Sequence, residues 1–214
     1  MVNRSRSRFS KFSDLEFSIL SLSLWWAIYF AVFYLTETCI PPERCFSVHI
    51  WLDDIIPFNE WFVIPYVLWY ALIVYSLLYF LRRDVKRFRE LQTYLIITQF
   101  CGLVSYILVP TRQDLRPMQF PRNNLLTDCV RFLYSIDTNT GVCPSMHVAW
   151  SVAMGSVWLK DQNSCASKKW LIGVLVVLIC LSTMFIKQHS AVDVLAAFVV
   201  CLLAEIIVYS KKTA

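Results

Sequence analysis

The chain has 214 residues, of which 57% are hydrophobic and only 16% charged, and it carries 8 Trp, 10 Tyr and 15 Phe. The length suits one domain or one compact membrane bundle, while the balance is too apolar for an ordinary soluble domain. Four glycines leave no glycine-rich phosphate loop, and the meaning of the net charge of +5 lies in where the charges fall.

Residues 1–16 form a basic segment with Arg4, Arg6, Arg8 and Lys11, and residues 17–210 read as one membrane domain. The first apolar run, 17–35, is long enough to cross a bilayer and lacks a small-residue cleavage site, so it is expected to stay as a span. Next comes an acidic loop over 36–60 with Glu37, Glu43, Asp53, Asp54 and Glu60. Within it, 47–58 predicts a short amphipathic helix lying in the interface. Asp53 and Asp54 read there as a solvated polar face, or alternatively as part of a lid or a contact to a cationic headgroup. Further apolar runs fall at 61–81, 94–109, 146–159, 170–186 and 191–209. Each is expected to be helical, because in lipid the backbone must satisfy its own hydrogen bonds. The expected fold is all-α: a six-transmembrane-helix bundle with an interfacial amphipathic helix in the first outward loop.

Six spans put both termini on one side. That side then holds 14 of the 20 basic residues, in the N-terminal segment, the 82–89 loop, the 160–169 loop and the tail with Lys211 and Lys212. Excess Lys and Arg in short loops marks the cytoplasmic face. The basic clusters therefore read as topology signals and anionic-lipid contacts, and a nucleic-acid partner is not expected. The expected location is the plasma membrane (the cytoplasmic membrane in a bacterium), with both termini cytoplasmic.

Two stretches then meet at the outward face: Cys143-Pro144-Ser145-Met146-His147, and Lys187-Gln188-His189-Ser190-Ala191-Val192-Asp193. Ionisable groups at membrane depth are costly and mark functional sites. His189 and Asp193 are four residues apart, so on a helix they stack on one face. A carboxylate on one imidazole nitrogen fixes the tautomer and leaves the other as a directed nucleophile or base. Ser145 is suited to cap the helix that begins beside His147, and a helix N-terminus favours an anion. Arg112, Arg116 and Lys187 add cations near the same face. The set fits phosphoryl transfer: His189 as nucleophile, His147 as acid then base, and Ser145, Arg112, Arg116 and Lys187 around the phosphate oxygens. This arrangement requires no metal or other cofactor, and the acidic residues are too scattered for a magnesium site.

In this order and spacing the residues resemble the type-2 phosphatidic acid phosphatase superfamily of integral-membrane lipid phosphatases and headgroup transferases. The resemblance rests on Arg112 with Arg116-Pro117, on Pro144-Ser145-Met146-His147, and on Ser182-Thr183 followed by His189 and Asp193. It implies a lipid phosphate substrate and a phosphohistidine on His189, with hydrolysis at the extracytoplasmic face. The alternative is transfer to a lipid alcohol, as in the sphingolipid headgroup synthases. A rival of another class is a non-catalytic binding or channel-like protein that keeps the fold.

Three positions depart from the family pattern. Val109 stands where the family usually has lysine, Met146 where it has glycine, and Thr183 where it has arginine. Arg112 and Lys187 are the expected substitute cations, although lysine does not reproduce an arginine fork. Among the eight cysteines, Cys39, Cys45, Cys129 and Cys143 fall on the outward side, where Cys39–Cys45 and Cys129–Cys143 are plausible disulfides.

Overall fold

The computed structural model describes residues 2–210, with side chains from Ile19 onward apart from Leu22 and Ser23. The basic side chains of residues 1–16, and Lys211 and Lys212, lie outside the described ones. The described helices are α1 (Val2–Cys39), α2 (Trp51–Ile55), α3 (Val63–Arg83), α4 (Val85–Leu108), α5 (Leu125–Ile136), α6 (Met146–Lys160), α7 (Ala166–Phe185) and α8 (Ala191–Tyr209). Among the described residues the strands are β1 (Phe46–Ser47) and β2 (Thr111–Arg112), which pair in parallel and tie the loop after α1 to the segment after α4.

Among the described residues, five helices are long and apolar enough to cross a membrane: α1 from Ile19, α3 with the turn before it, α4, α7 and α8. Their outer faces are apolar as well as their inner ones. On α8, Leu195, Phe198, Val199, Leu202, Leu203 and Ile206 are all exposed. A continuous apolar exterior of this kind is what lipid, not water, covers. The chain is a membrane protein.

The expected fourth span, 146–159, forms α6, but at 15 residues it is only about 22 Å long, short of a hydrocarbon core of about 30 Å. The reason it can be short is its position. Val148, Ala149, Ala153, Val157 and Trp158 are wholly buried, and α6 packs against α3, α4, α7 and α8. Protein, not lipid, surrounds it.

Two other elements differ from the expectation. α4 starts at Val85, nine residues before the predicted 94, because Asp84 both ends α3 and caps α4. Its Oδ1 accepts from the backbone N–H groups of Lys86 and Arg87 at 3.0 and 3.1 Å. The basic 82–89 stretch is therefore a one-residue turn flanked by helix ends. α5 was not anticipated at all. Asn124 caps it, accepting from the N–H of Thr127 at 2.9 Å, and it buries Thr127, Val130 and Leu133 while Leu125, Phe132 and Ile136 stay exposed. A run of 12 residues with charges at 128 and 131 is too short and too polar to register as a span.

Within the predicted 47–58 the loop after α1 is α-helical only over Trp51–Ile55. Its acidic pair divides. Asp54 is exposed and lies 2.8 Å from His49, whereas Asp53 is 3% exposed and is not part of a solvated face. The two expected disulfides are not formed, since all eight cysteines are free. Cys143 instead lies close to Asp193, and burial together with that carboxylate pushes its thiol up to about 12.

Candidate active site

The site lies where the N-termini of α6 and α8 meet. Ser145 caps α6, its Oγ accepting from the N–H of Val148 at 3.4 Å. Ser190 caps α8, accepting from Val192 at 3.2 Å. The Ser145 N–H donates to the carbonyl of Asp193 at 3.1 Å, which locks the two helix starts together. Both macrodipoles thus present their positive ends to one region, a setting that favours an anion.

His189 stands on the turn between α7 and α8. The N–H groups of Gln188 and His189 both donate to the carbonyl of Thr183 at 3.0 Å, which folds the turn back on the end of α7. The His189 Nδ1 lies 3.3 Å from Asp193 Oδ2, an oxygen that also accepts from the Ser190 N–H at 2.9 Å. Asp193 is fully buried. The carboxylate therefore holds the ring by Nδ1, which leaves Nε2 as the reactive nitrogen.

His147, on the first turn of α6, has its ring centroid 6.0 Å from that of His189. It stacks on Tyr66 at 4.3 Å and leans on Trp69 at 4.1 Å. Its Nε2 is buried and without a hydrogen-bond partner. Both histidines line a cavity of about 390 Å³, walled by Trp26, Tyr29, Phe33, Trp69, Tyr106 and Trp150. A larger groove of about 940 Å³ among α6, α7 and α8 holds neither histidine.

The structure brings His147, His189, Asp193 and Ser145 together and places the cations elsewhere. Arg112 lies in β2. Its guanidinium donates to the carbonyl of Pro42 at 3.1 Å and pairs with Asp114 at 3.2 Å. Lys187 has a left-handed backbone, φ 57°, and sends its Nζ to the carbonyls of Asp53 and Ile56. Burial holds its ammonium below the usual range, against the pull of Asp53 and Asp54. Arg116 is closest to the site but acts as a clamp. It donates to Gln188 Oε1 at 3.1 Å and to the carbonyls of Tyr134, Asp137 and Thr138 at 3.1, 2.8 and 2.8 Å. Its guanidinium also lies 4.5 Å above the ring of Tyr134.

The positions that depart from the family pattern are equally informative. Val109 is exposed at the end of α4. Thr183 is buried and its hydroxyl donates to the carbonyl of Cys180 at 2.8 Å, away from the cavity. The tip of Met146 takes the space beside Gly102, where an added Cβ would meet it at 2.9 Å. Met146 lines the cavity, and its tip packs into the space that residue 102 leaves by lacking a side chain.

Two site residues, Asp137 and Tyr66, are not among those the sequence singles out, and a third, Asp53, has a role other than the solvated face expected of it. Asp137, just past the end of α5, accepts from Gln188 Nε2 at 2.9 Å and from the Tyr66 hydroxyl at 3.2 Å, and lines the cavity. Burial pushes its carboxyl up, while His189 and Arg116 pull it down. Asp53 accepts from the Ser190 hydroxyl at 2.6 Å and from the Ala191 N–H at 2.8 Å, bracing the start of α8 from the first loop. Tyr66 was hidden inside an apolar run. None of the three lies near the histidines in sequence, so no spacing rule could reach them.

The two histidines, the orienting carboxylate and the serine cap stand in the order of one family, and its model, described as the PAP2 superfamily, matches residues 43–207. The chain belongs to the PAP2 superfamily. No curated protein and no solved structure gives a match. Membership of the PAP2 superfamily makes the chain an enzyme of the phosphatase and phosphotransferase kind. The cavity between α1, α3 and α6 is its candidate active site.

Proposed function

We propose that the protein is a lipid phosphatase that works through a phosphohistidine on His189. The carrying observation is the pair of imidazoles at the wall of one cavity, one of them held through Nδ1 by a buried carboxylate. In the first step the lone pair of His189 Nε2 forms the N–P bond as the ester P–O bond breaks. The leaving oxygen takes its electron pair and the proton from His147 Nε2. In the second step a water oxygen attacks phosphorus and gives its proton to His147, and the P–N electron pair returns to His189. The N-terminus of α6 and the His147 imidazolium offset charge on the phosphoryl oxygens.

The lipid reading is supported by the aromatic and aliphatic wall of the cavity and by its place among membrane helices. For topology, we take α6 as the sixth crossing, completed at its ends by the polar segments it joins. The excess of Lys and Arg at the opposite end of the bundle then favours an extracytoplasmic site. The short α2, with Trp51 and Ile55 exposed, suits an interfacial position.

Headgroup transfer is a second reading, favoured by the charge of the cavity. Among the described residues no lysine or arginine lines it, while Asp137 does. A site poor in cations suits the single charge of a phosphodiester better than the two of a monoester. Product analysis separates them: free phosphate from phosphatidate in mixed micelles marks hydrolysis, and a new phospholipid with released diacylglycerol or ceramide marks transfer.

For the chemistry itself, His189→Ala is expected to lower turnover by 10³-fold or more, an order-of-magnitude figure for loss of a nucleophile. Wild-type protein incubated with ³²P-labelled substrate and quenched in detergent at alkaline pH should carry a base-stable, acid-labile label that the variant lacks. Unchanged turnover in His189→Ala would mean a different nucleophile or a non-catalytic protein.

A further inference from the structure

We propose that Tyr66 and Asp137 form a positioning relay that sets the tautomer and proton affinity of His147, as Asp193 does for His189. The Tyr66 hydroxyl lies 3.5 Å from His147 Nδ1 and 3.2 Å from Asp137 Oδ2. A tyrosine has one proton to donate and can accept another bond. With the Tyr66 O–H given to Asp137, the proton that can face the Tyr66 oxygen is the one on His147 Nδ1, in a long, bent contact shaped by the ring stacking. The proton on Nδ1 leaves the exchangeable one on Nε2, the buried nitrogen with no partner in the protein.

The surrounding contacts hold this chain of groups in place. Tyr66 is fully buried and stacked on the imidazole at 25° between planes, so its hydroxyl has little freedom. Gln188 donates to the same Asp137 oxygen, and Arg116 anchors both the Gln188 amide and the carbonyls of Asp137 and Thr138. Gln188 adjoins His189, so one amide couples the two histidine supports. The groups facing His147 are Tyr66, Trp69 and Tyr70 from α3, His189 from the α7–α8 turn, and Asp137 through Tyr66. Those acting on Asp137 are His189, Arg116, Glu37, Tyr66 and Tyr70. Through Tyr66 the carboxylate stabilises the imidazolium, the form that protonates a leaving oxygen. That use of His147 rests on the phosphohistidine reading; the relay itself does not.

The chain has only three histidines, so ring-¹⁵N-labelled full-length protein in detergent micelles resolves each titration by NMR. In Tyr66→Phe the His147 midpoint should fall by about one pH unit, the size expected when one supporting partner is lost. Its neutral form should also lose its preference for Nδ1–H, while His189 stays within a few tenths. Asp137→Asn, which keeps the shape, should shift His147 in the same direction, and it serves if the phenylalanine variant does not fold. An unmoved His147 in a folded variant overturns the relay, as does a shift shared equally by His189 in Tyr66→Phe, the variant that leaves the Asp137 charge in place. The ³²P label reads the chemistry separately. A shifted His147 with no label on wild-type protein would keep the relay and remove the phosphohistidine.

Discussion

A residue's charge says less about its role here than the partners that use its hydrogen bonds. Arg116, Arg112 and Lys187 all sit at the end of the bundle that holds the two site histidines, yet their donors go to backbone carbonyls, to Gln188 and to Asp114. Arg116 is the strongest case, because its planar fork meets four acceptors that bind α5, the 137–138 turn and the residue before His189. Lysine has the charge but not the fork. Arg116→Lys is therefore expected to lose about 2 kcal/mol of stability, from two or more buried bonds left unmade. Thermal unfolding in detergent measures it, and an unchanged midpoint would show that the clamp contributes little. His189 and Asp193 were legible as a pair from their closeness in the chain, although His189 stands on the turn before α8 and reaches Asp193 through the Ser190 cap, not along a helix face.

Among the elements, the first outward loop turns out to be a brace. Asp53 takes hydrogen bonds from the Ser190 hydroxyl and the Ala191 N–H, and from the Ile50 N–H at 2.9 Å. Lys187 returns two bonds to the loop's carbonyls. Together they fix the turn that carries His189. Asp53→Ala should cost about 2–3 kcal/mol, since it leaves buried donors unpaired. Asp54→Ala, which breaks only an exposed pair with His49, should cost under about 1 kcal/mol. Equal losses in the two variants would remove the brace. The sequence could not separate these adjacent aspartates, because a five-residue helix has no face long enough to show which one turns inward.

At the scale of the molecule, the exposed native cysteines report on sidedness. Cys129 on α5 and Cys165 at the start of α7 are both exposed and fall on opposite sides under the proposed topology. The Cys165 thiol is held below its usual range by a hydrogen bond from Ser167 and by the backbone around Lys168. A lowered thiol favours the thiolate that attacks a maleimide. In intact cells an impermeant maleimide should nevertheless label Cys129 and spare Cys165 until the membrane is opened. Labelling of Cys165 in sealed cells would invert the topology.

The sequence by itself determined the membrane class, most of the helices, the family and the two histidines with Asp193. All of these follow from composition, from runs of apolar residues and from short spacings along the chain. Only the tertiary structure decided what surrounds them. It showed a fourth apolar segment short enough to need enclosure by protein, and an α5 whose end delivers Asp137. It also showed cations bonded away from the cavity, and a tyrosine from α3 stacked on His147. These are contacts between distant segments, set by how the helices pack, and no local pattern in the chain encodes them.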